Sequence, residues 1–265
     1  MNDATHFAMP VLARDDVGVG TPVVLLHGFP HTRHLWDAQR IALASRCRVI
    51  APDLRGFGDS VALGDAPLTM AQHADDVAAL LDALGIERAT IGGLSMGGYV
   101  ALAFWRRHRA RVRALVLADT RASSDSTATR ERRNATIALA RSEGALAVAD
   151  AQVASSLGAT TRRTHPALVH RVRDMMASVP VATLVAAQEG MLARDDATPW
   201  LAEIDVPALL VVGDEDAITP VKEMRAMHER IAGSELAVVE QAGHLSPVEQ
   251  PERFDEALLR FVERV

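Results

Sequence analysis

Ser95 stands at the centre of Gly93-Leu94-Ser95-Met96-Gly97, a G-x-S-x-G pentapeptide. The preceding Ala89-Thr90-Ile91-Gly92 reads as a short buried strand, and the following Gly98-Tyr99-Val100-Ala101-Leu102-Ala103-Phe104-Trp105 reads as a helix. A serine on a strand-to-helix turn is held in a tight, strained bend. Its hydroxyl then stands clear of the sheet beside the positive end of the helix. Gly93 and Gly97 meet the need of such a bend, because side chains there would collide with neighbouring backbone. The chemistry this offers is nucleophilic attack. A serine hydroxyl is a weak nucleophile near neutral pH, so it needs a histidine to take its proton and an acid to orient that histidine.

Both partner types lie downstream, each just past a strand. The apolar run Ala208-Leu209-Leu210-Val211-Val212 ends at Gly213-Asp214-Glu215-Asp216-Ala217-Ile218-Thr219-Pro220. Glu235-Leu236-Ala237-Val238-Val239 ends at Gln241-Ala242-Gly243-His244-Leu245-Ser246-Pro247. In open parallel sheets the carboxyl ends of the strands are where ligands bind. Asp214, Glu215 and Asp216 are adjacent candidates for the acid, and Asp119 is a further one at the end of another apolar run.

These motifs, in this order, resemble the α/β-hydrolase superfamily over most of the chain. His27-Gly28-Phe29-Pro30 is similar to its oxyanion loop. Asp53-Leu54-Arg55-Gly56-Phe57-Gly58-Asp59-Ser60 is similar to its D-x-R-G-x-G-x-S loop, and Gly93 to Gly98 to its nucleophile elbow. Gly213 to Pro220 matches the G-x-x-D-x-x-x-P acid loop, which places the acid on Asp216. Gly243-His244 with Glu249-Gln250-Pro251 matches the histidine loop. Within the superfamily, Gly-Leu-Ser-Met-Gly-Gly and His-Leu-Ser-Pro-Val-Glu-Gln-Pro look most like the small bacterial 3-oxoadipate enol-lactone hydrolases and esterases. The non-haem haloperoxidase and perhydrolase group shares much of the pattern. Epoxide hydrolases and haloalkane dehalogenases carry Asp at the nucleophile position, and Ser95 argues against both.

The resemblance implies roles. Ser95 attacks an acyl carbon, His244 shuttles its proton, and Asp216 holds the imidazole. The backbone N–H groups of Phe29 and Met96 form the oxyanion hole. The expected activity is hydrolysis of a small-molecule carboxylic ester or lactone, without cofactor. Carbon–carbon hydrolysis or perhydrolysis on the same triad stays open, as does, from another class, a non-catalytic binding protein on this fold. His27 is expected to tie down the oxyanion loop, and Asp53 and Arg55 to brace loops. No histidine spacing of the H-E-x-x-H kind occurs, so no metal is expected.

The elements needed to position these groups are legible. Val23-Val24-Leu25-Leu26, Arg48-Val49-Ile50-Ala51, Ala89 to Leu94, Ala114-Leu115-Val116-Leu117-Ala118 and the two downstream runs read as strands. A helix is expected over 70–84, capped by Thr69 and stopped by Gly85, with Ala74, Val77, Leu81 and Leu84 on one face. Another is expected over 252–265. Strands alternating with helices predict an α/β fold with a mostly parallel sheet covered on both faces.

Residues 121–201 break the rhythm. Helical stretches near 129–141, 145–155, 166–177 and 181–193 occur with no convincing strand. The expected organisation is a core of residues 1–120 and 202–265 with a helical cap of residues 121–201 inserted. Such a cap would roof the serine and exclude water, and Met175, Met176, Met191 and Leu192 are candidates to line it or to pack it onto the core. A lactonase acting on a dicarboxylate product would also need a cation. Arg33 and Arg121 are the weak substrate-binding candidates; if neither faces Ser95, a neutral ester is favoured.

Composition sets the remaining bounds. The chain has 265 residues, 49% hydrophobic, and a formal charge of -6, with no long basic run. That excludes a typical nucleic-acid binder and suits one large domain. Cys47 is the only cysteine, between Arg46 and Arg48, and is read as a buried structural thiol. The start Met1-Asn2-Asp3-Ala4-Thr5-His6 lacks a signal-peptide pattern, and no 18-residue uncharged apolar span occurs, so a cytoplasmic protein with no membrane partner is expected. Either a monomer or a homodimer is compatible with the sequence.

Overall fold

The computed structural model describes residues 12–60 and 67–265. The opening run 1–6 and the first eleven residues of the expected core lie outside this range. Seven strands form one sheet: β1 (Arg14–Val17), β2 (Pro22–Leu26), β3 (Arg48–Pro52), β4 (Ala89–Leu94), β5 (Val112–Ala118), β6 (Ala208–Gly213) and β7 (Glu235–Val239). Their spatial order is β1-β3-β2-β4-β5-β6-β7. All neighbours are parallel except β1, which pairs antiparallel with β3. The sheet is therefore mostly parallel, as its continuous apolar strands require: both faces must be covered.

The period-two alternation of strand side chains divides the core into two layers. Val24, Leu26, Ile91, Leu115, Leu117 and Leu210 face one of them. That layer is closed by α2 (Met70–Ala83), α3 (Met96–Arg107) and α8 (Val221–His228), through residues such as Val77, Phe104 and Met224. Val23, Leu25, Val116, Leu209 and Val211 face the other, closed by α1 (Asp37–Leu43) and α9 (Pro251–Val262), through Leu43, Phe254 and Phe261. Thr69 caps α2 by accepting the Gln72 N–H at 3.1 Å, and Gly85 follows the helix in the left-handed region at φ 64°. The last helix ends at Val262, short of the expected 265.

Between β5 and β6 every element is a helix: α4 (Thr127–Ser156), α5 (Ala159–Thr164), α6 (Pro166–Ala177), α7 (Val181–Leu192) and a closing 3₁₀ turn. The two stretches expected at 129–141 and 145–155 join across Gly144, which is non-helical at φ 85°. The short α5 and the 3₁₀ turn Thr198–Glu203 were not expected. Met176 and Met191 are buried in the two core layers, whereas Met175 and Leu192 are half-buried.

The chain reverses its direction of strand addition between β2 and β4. After β2 it adds β3 on one side, then places β4 on the other. This is the switch point at which loops of adjacent strands diverge and leave a crevice. His27-Gly28-Phe29 leaves β2 there, and Ser95 leaves β4 there.

Candidate active site

Ser95 occupies the turn between β4 and α3 with φ 53° and ψ -112°. Such a conformation costs a non-glycine residue about 1–3 kcal/mol and persists only where its surroundings enforce it. Those surroundings are specific. Ser95 N–H donates to Ala118 C=O at 2.9 Å, and its own C=O accepts from Gly98 N–H, Tyr99 N–H and Thr120 Oγ1–H. A Cβ on Gly93 would collide with the Gly97 carbonyl, and one on Gly97 with the Leu26 and His27 carbonyls. Both glycines are thus required by close backbone approach, which also brings the start of α3 against the end of β2.

The Ser95 hydroxyl donates to His244 Nε2 at 2.8 Å, and His244 Nδ1–H donates to Asp216 Oδ2 at 2.8 Å. His244 lies in the loop after β7 and is 4% exposed, and Asp216 lies in the loop after β6 and is 5% exposed. Residues 149 and 28 positions apart thus share one hydrogen-bonded chain. Asp216 is held by its own turn as well. Its Oδ1 accepts Ile218 N–H at 2.7 Å and Thr219 N–H at 2.9 Å, and its Oδ2 accepts Thr219 Oγ1–H at 2.6 Å. Burial raises the Asp216 pKa, but the charge and hydrogen bond of His244 and the two bonds from Thr219 outweigh it, bringing the carboxyl down to about 2. It is a carboxylate across the working range. Asp214 turns away to accept Gln241 N–H, and Glu215 accepts from Thr160.

The loop after β2 is fixed by His27. Its Nδ1–H donates to Gly28 C=O at 2.9 Å, and its Nε2 accepts Leu54 N–H at 3.0 Å. Burial, opposed by the Gly28 bond and Asp53, lowers its pKa to about 4, so the ring is neutral and structural. A Cβ on Gly28 would lie 3.3 Å from Ser95 Cβ, so this loop abuts Ser95. Met96 opens α3, so its N–H has no acceptor one turn back. The Phe29 N–H meets no backbone or side-chain acceptor among the described residues.

Other sequence candidates are taken up elsewhere. The Arg33 guanidinium pairs with Asp53 and Asp59, and Asp53 also accepts the Arg33 and Asp59 N–H groups. Arg55 pairs with the fully buried Asp76 of α2. Arg121 donates through Nη2 to Ile218 C=O, tying the exit from β5 to the acid loop. Cys47 is buried, with burial raising its thiol pKa. Ligand atoms of Asp15, His34 and Asp37 lie within 4.8 Å of one another, yet Arg40 contacts both carboxylates.

Sequence reasoning passed over three contributors. Thr219 was readable, since an aspartate three residues before a threonine signals a side-chain-capped turn. Thr120 acts on the Ser95 carbonyl, which only folding brings to it, and Glu249, marked in the sequence only as part of the histidine loop, also takes the Gly158 N–H from 91 residues away.

This geometry has close counterparts. The sequence profile described as alpha/beta hydrolase fold matches residues 21–251. A pimeloyl-acyl-carrier-protein methyl ester esterase of Neisseria meningitidis is 35% identical over 246 residues, spanning 91% of this chain and 92% of that protein. The structure of a thermophilic esterase from Thermogutta terrifontis superposes with a TM-score of 0.92 at 43% identity, covering 96% of this chain and 93% of that one. The enol-lactonase from Burkholderia xenovorans superposes with a TM-score of 0.87 at 29% identity, covering 95% and 96%. With an elbow serine at the switch point of a mostly parallel sheet and this profile spanning most of its length, the chain belongs to the alpha/beta hydrolase fold family.

Proposed function

We propose that this protein is a serine hydrolase that cleaves a neutral carboxylic ester through an acyl-enzyme. The observation that carries the reading is the unbroken hydrogen-bonded chain from Asp216 through His244 to Ser95. Ser95 Oγ attacks the ester carbon while His244 Nε2 takes its proton. The carbonyl oxygen becomes an oxyanion between the N–H groups of Phe29 and Met96, which cost no reorganisation because the backbone already holds them. Collapse expels the alcohol, protonated by His244. Water then attacks the acyl-enzyme with His244 as base, and the acid leaves as Ser95 regains its proton. Asp216 keeps Nδ1 protonated and stabilises the imidazolium in both halves.

The helices of residues 121–201 serve as the cap over Ser95. A neutral substrate is favoured because Arg33 is neutralised by Asp53 and Asp59, and the placed Nη2 of Arg121 is used on a carbonyl. An uncharged lactone is the second reading, supported by the likeness to the enol-lactonase.

The test is turnover of p-nitrophenyl esters of increasing acyl length beside a γ-lactone panel, for wild type and Ser95→Ala. Wild-type turnover with a loss of about 10⁴-fold or more in the variant is expected. Equal activity of the two proteins defeats the mechanism.

A further inference from the structure

The amino end of α5 meets the loops of His244 and Asp216 through two carboxylates. Glu249 Oε1 accepts the Gly243 N–H at 2.9 Å and the Leu245 N–H at 3.2 Å, the two residues flanking His244. Its Oε2 reaches across to the Gly158 N–H at 2.8 Å. Glu215, adjacent to Asp216, accepts the Thr160 N–H at 2.8 Å on Oε2 and the Thr160 hydroxyl at 2.5 Å on Oε1. The backbones touch as well. A Cβ on Gly243 would collide with the Gly158 N, and one on Gly158 would lie 2.9 Å from the Gly243 N. Leu157 is buried in the same core layer as Ala242 and Leu245. On the Glu249 side the contact is buried and close-packed, so the Gly158, Gly243 and Leu245 N–H groups need an acceptor within it.

We propose that Glu249 and Glu215 are positioning residues that seat α5 on the histidine and acid loops, so that one junction sets both the height of the cap over Ser95 and the alignment of His244. The inference rests on the reading of residues 121–201 as a cap over a hydrolytic serine. Glu249 divides the two tasks between its oxygens: Oε1 holds the histidine loop and Oε2 holds the cap. Glu249→Gln separates them. The amide oxygen takes the site with two N–H donors, and the amide NH₂ is left facing the Gly158 N–H, donor against donor. The cap is released while the histidine loop stays tied. Glu249→Ala removes both acceptor oxygens and all three hydrogen bonds. Glu215→Gln is tolerated, because its oxygen accepts the Thr160 N–H and its NH₂ donates to a hydroxyl that also accepts.

The experiment combines steady-state kinetics on p-nitrophenyl acetate and octanoate with amide hydrogen exchange. For Glu249→Gln, exchange at Gly158 to Thr161 rises while Gly243 to Leu245 keep their protection. KM for the octanoate rises about tenfold, as for one lost hydrogen bond to a charged acceptor, with a smaller rise for the acetate and kcat within about threefold. Glu249→Ala lowers kcat about tenfold or more, and Glu215→Gln restores what Glu215→Ala loses. Thr160→Val, made from the cap side, gives the same KM pattern in weaker form and serves if the Glu249 variants do not fold. Exchange that rises equally at both segments, or at neither, overturns the division of tasks. An opened Gly158 to Thr161 segment with unchanged KM overturns the link to the cap. Should wild type hydrolyse no ester, the proposed function fails, and the exchange experiment alone then decides whether Glu249 seats α5.

Discussion

Asp119 Oδ2 accepts the Ser246 hydroxyl at 2.5 Å, and its Oδ1 accepts the Gly213 N–H at 2.9 Å. A second buried carboxyl thus reaches the histidine loop two residues past His244, while the imidazole itself is met by Asp216. Burial, reinforced by the charge of Asp216 and opposed by the bonds from Ser246 and Gly213, holds the Asp119 pKa well above the usual carboxylate range. One acid orients the ring and the other braces the loop.

The two acids therefore separate by substitution. Asp216→Asn should lower kcat by about 10³–10⁴-fold, since an amide no longer selects the correct imidazole tautomer. Asp119→Asn should lower it less than about tenfold. Its oxygen still accepts Gly213 N–H and its NH₂ donates to Ser246 Oγ, with only the long 3.3 Å bond from Ser246 N–H lost, and asparagine tolerates the φ of 43° found there. Equal losses in ester turnover would mean the acid has been misassigned.

Their effects on stability run in opposite directions with pH. The folded pKa of Asp216, about 2, lies below the ordinary aspartate value of 3.8. Its stabilisation is present above pH 4 and is lost as pH falls toward 2, so the stability gap between wild type and Asp216→Asn should shrink by about 2 kcal/mol across that window. Asp119 is shifted upward, so wild type loses stability as pH rises above 4 toward its folded pKa, and Asp119→Asn should be free of that loss. Urea denaturation at a series of pH values reads both slopes.

Gly97→Ala should destabilise the fold by about 2–3 kcal/mol, as overpacking of a closed site does. The new Cβ meets the Leu26 and His27 carbonyls, and relief requires α3 to move away from β2. That separates Met96 from Phe29, so kcat should fall further than the loss of folded protein explains. A variant with wild-type kcat would place the oxyanion site elsewhere.

Arg33→Ala should act on stability rather than selectivity. It strips the counter-charge from Asp53, which is fully buried, at a cost of about 3 kcal/mol. The ratio of kcat/KM for anionic and neutral esters should stay constant. Selective loss of the anionic substrate would show that Arg33 meets the ligand.

Much of this protein is written in short stretches of sequence. The apolar runs that become β2 to β6 specify a sheet buried on both faces, because only such a sheet hides every side chain of a run like Ala208 to Val212. The elbow is local too, since Gly93, Ser95 and Gly97 create their own bend, and Asp216 builds its turn from Ile218 and Thr219. Tertiary structure decided what depends on distant groups. The loop spacing marks Asp216 only by resemblance; that it meets His244 while Asp119 takes Ser246 is decided where three loops converge. Arg33 is drawn to Asp53 by a fold that sets them side by side. The helix α5, a threonine-rich stretch of weak intrinsic propensity, forms where carboxylates 55 and 91 residues away accept N–H groups at its start. Local patterns fix the elements because their periods are short-ranged, whereas a buried polar group takes whichever partner folding brings within 3 Å.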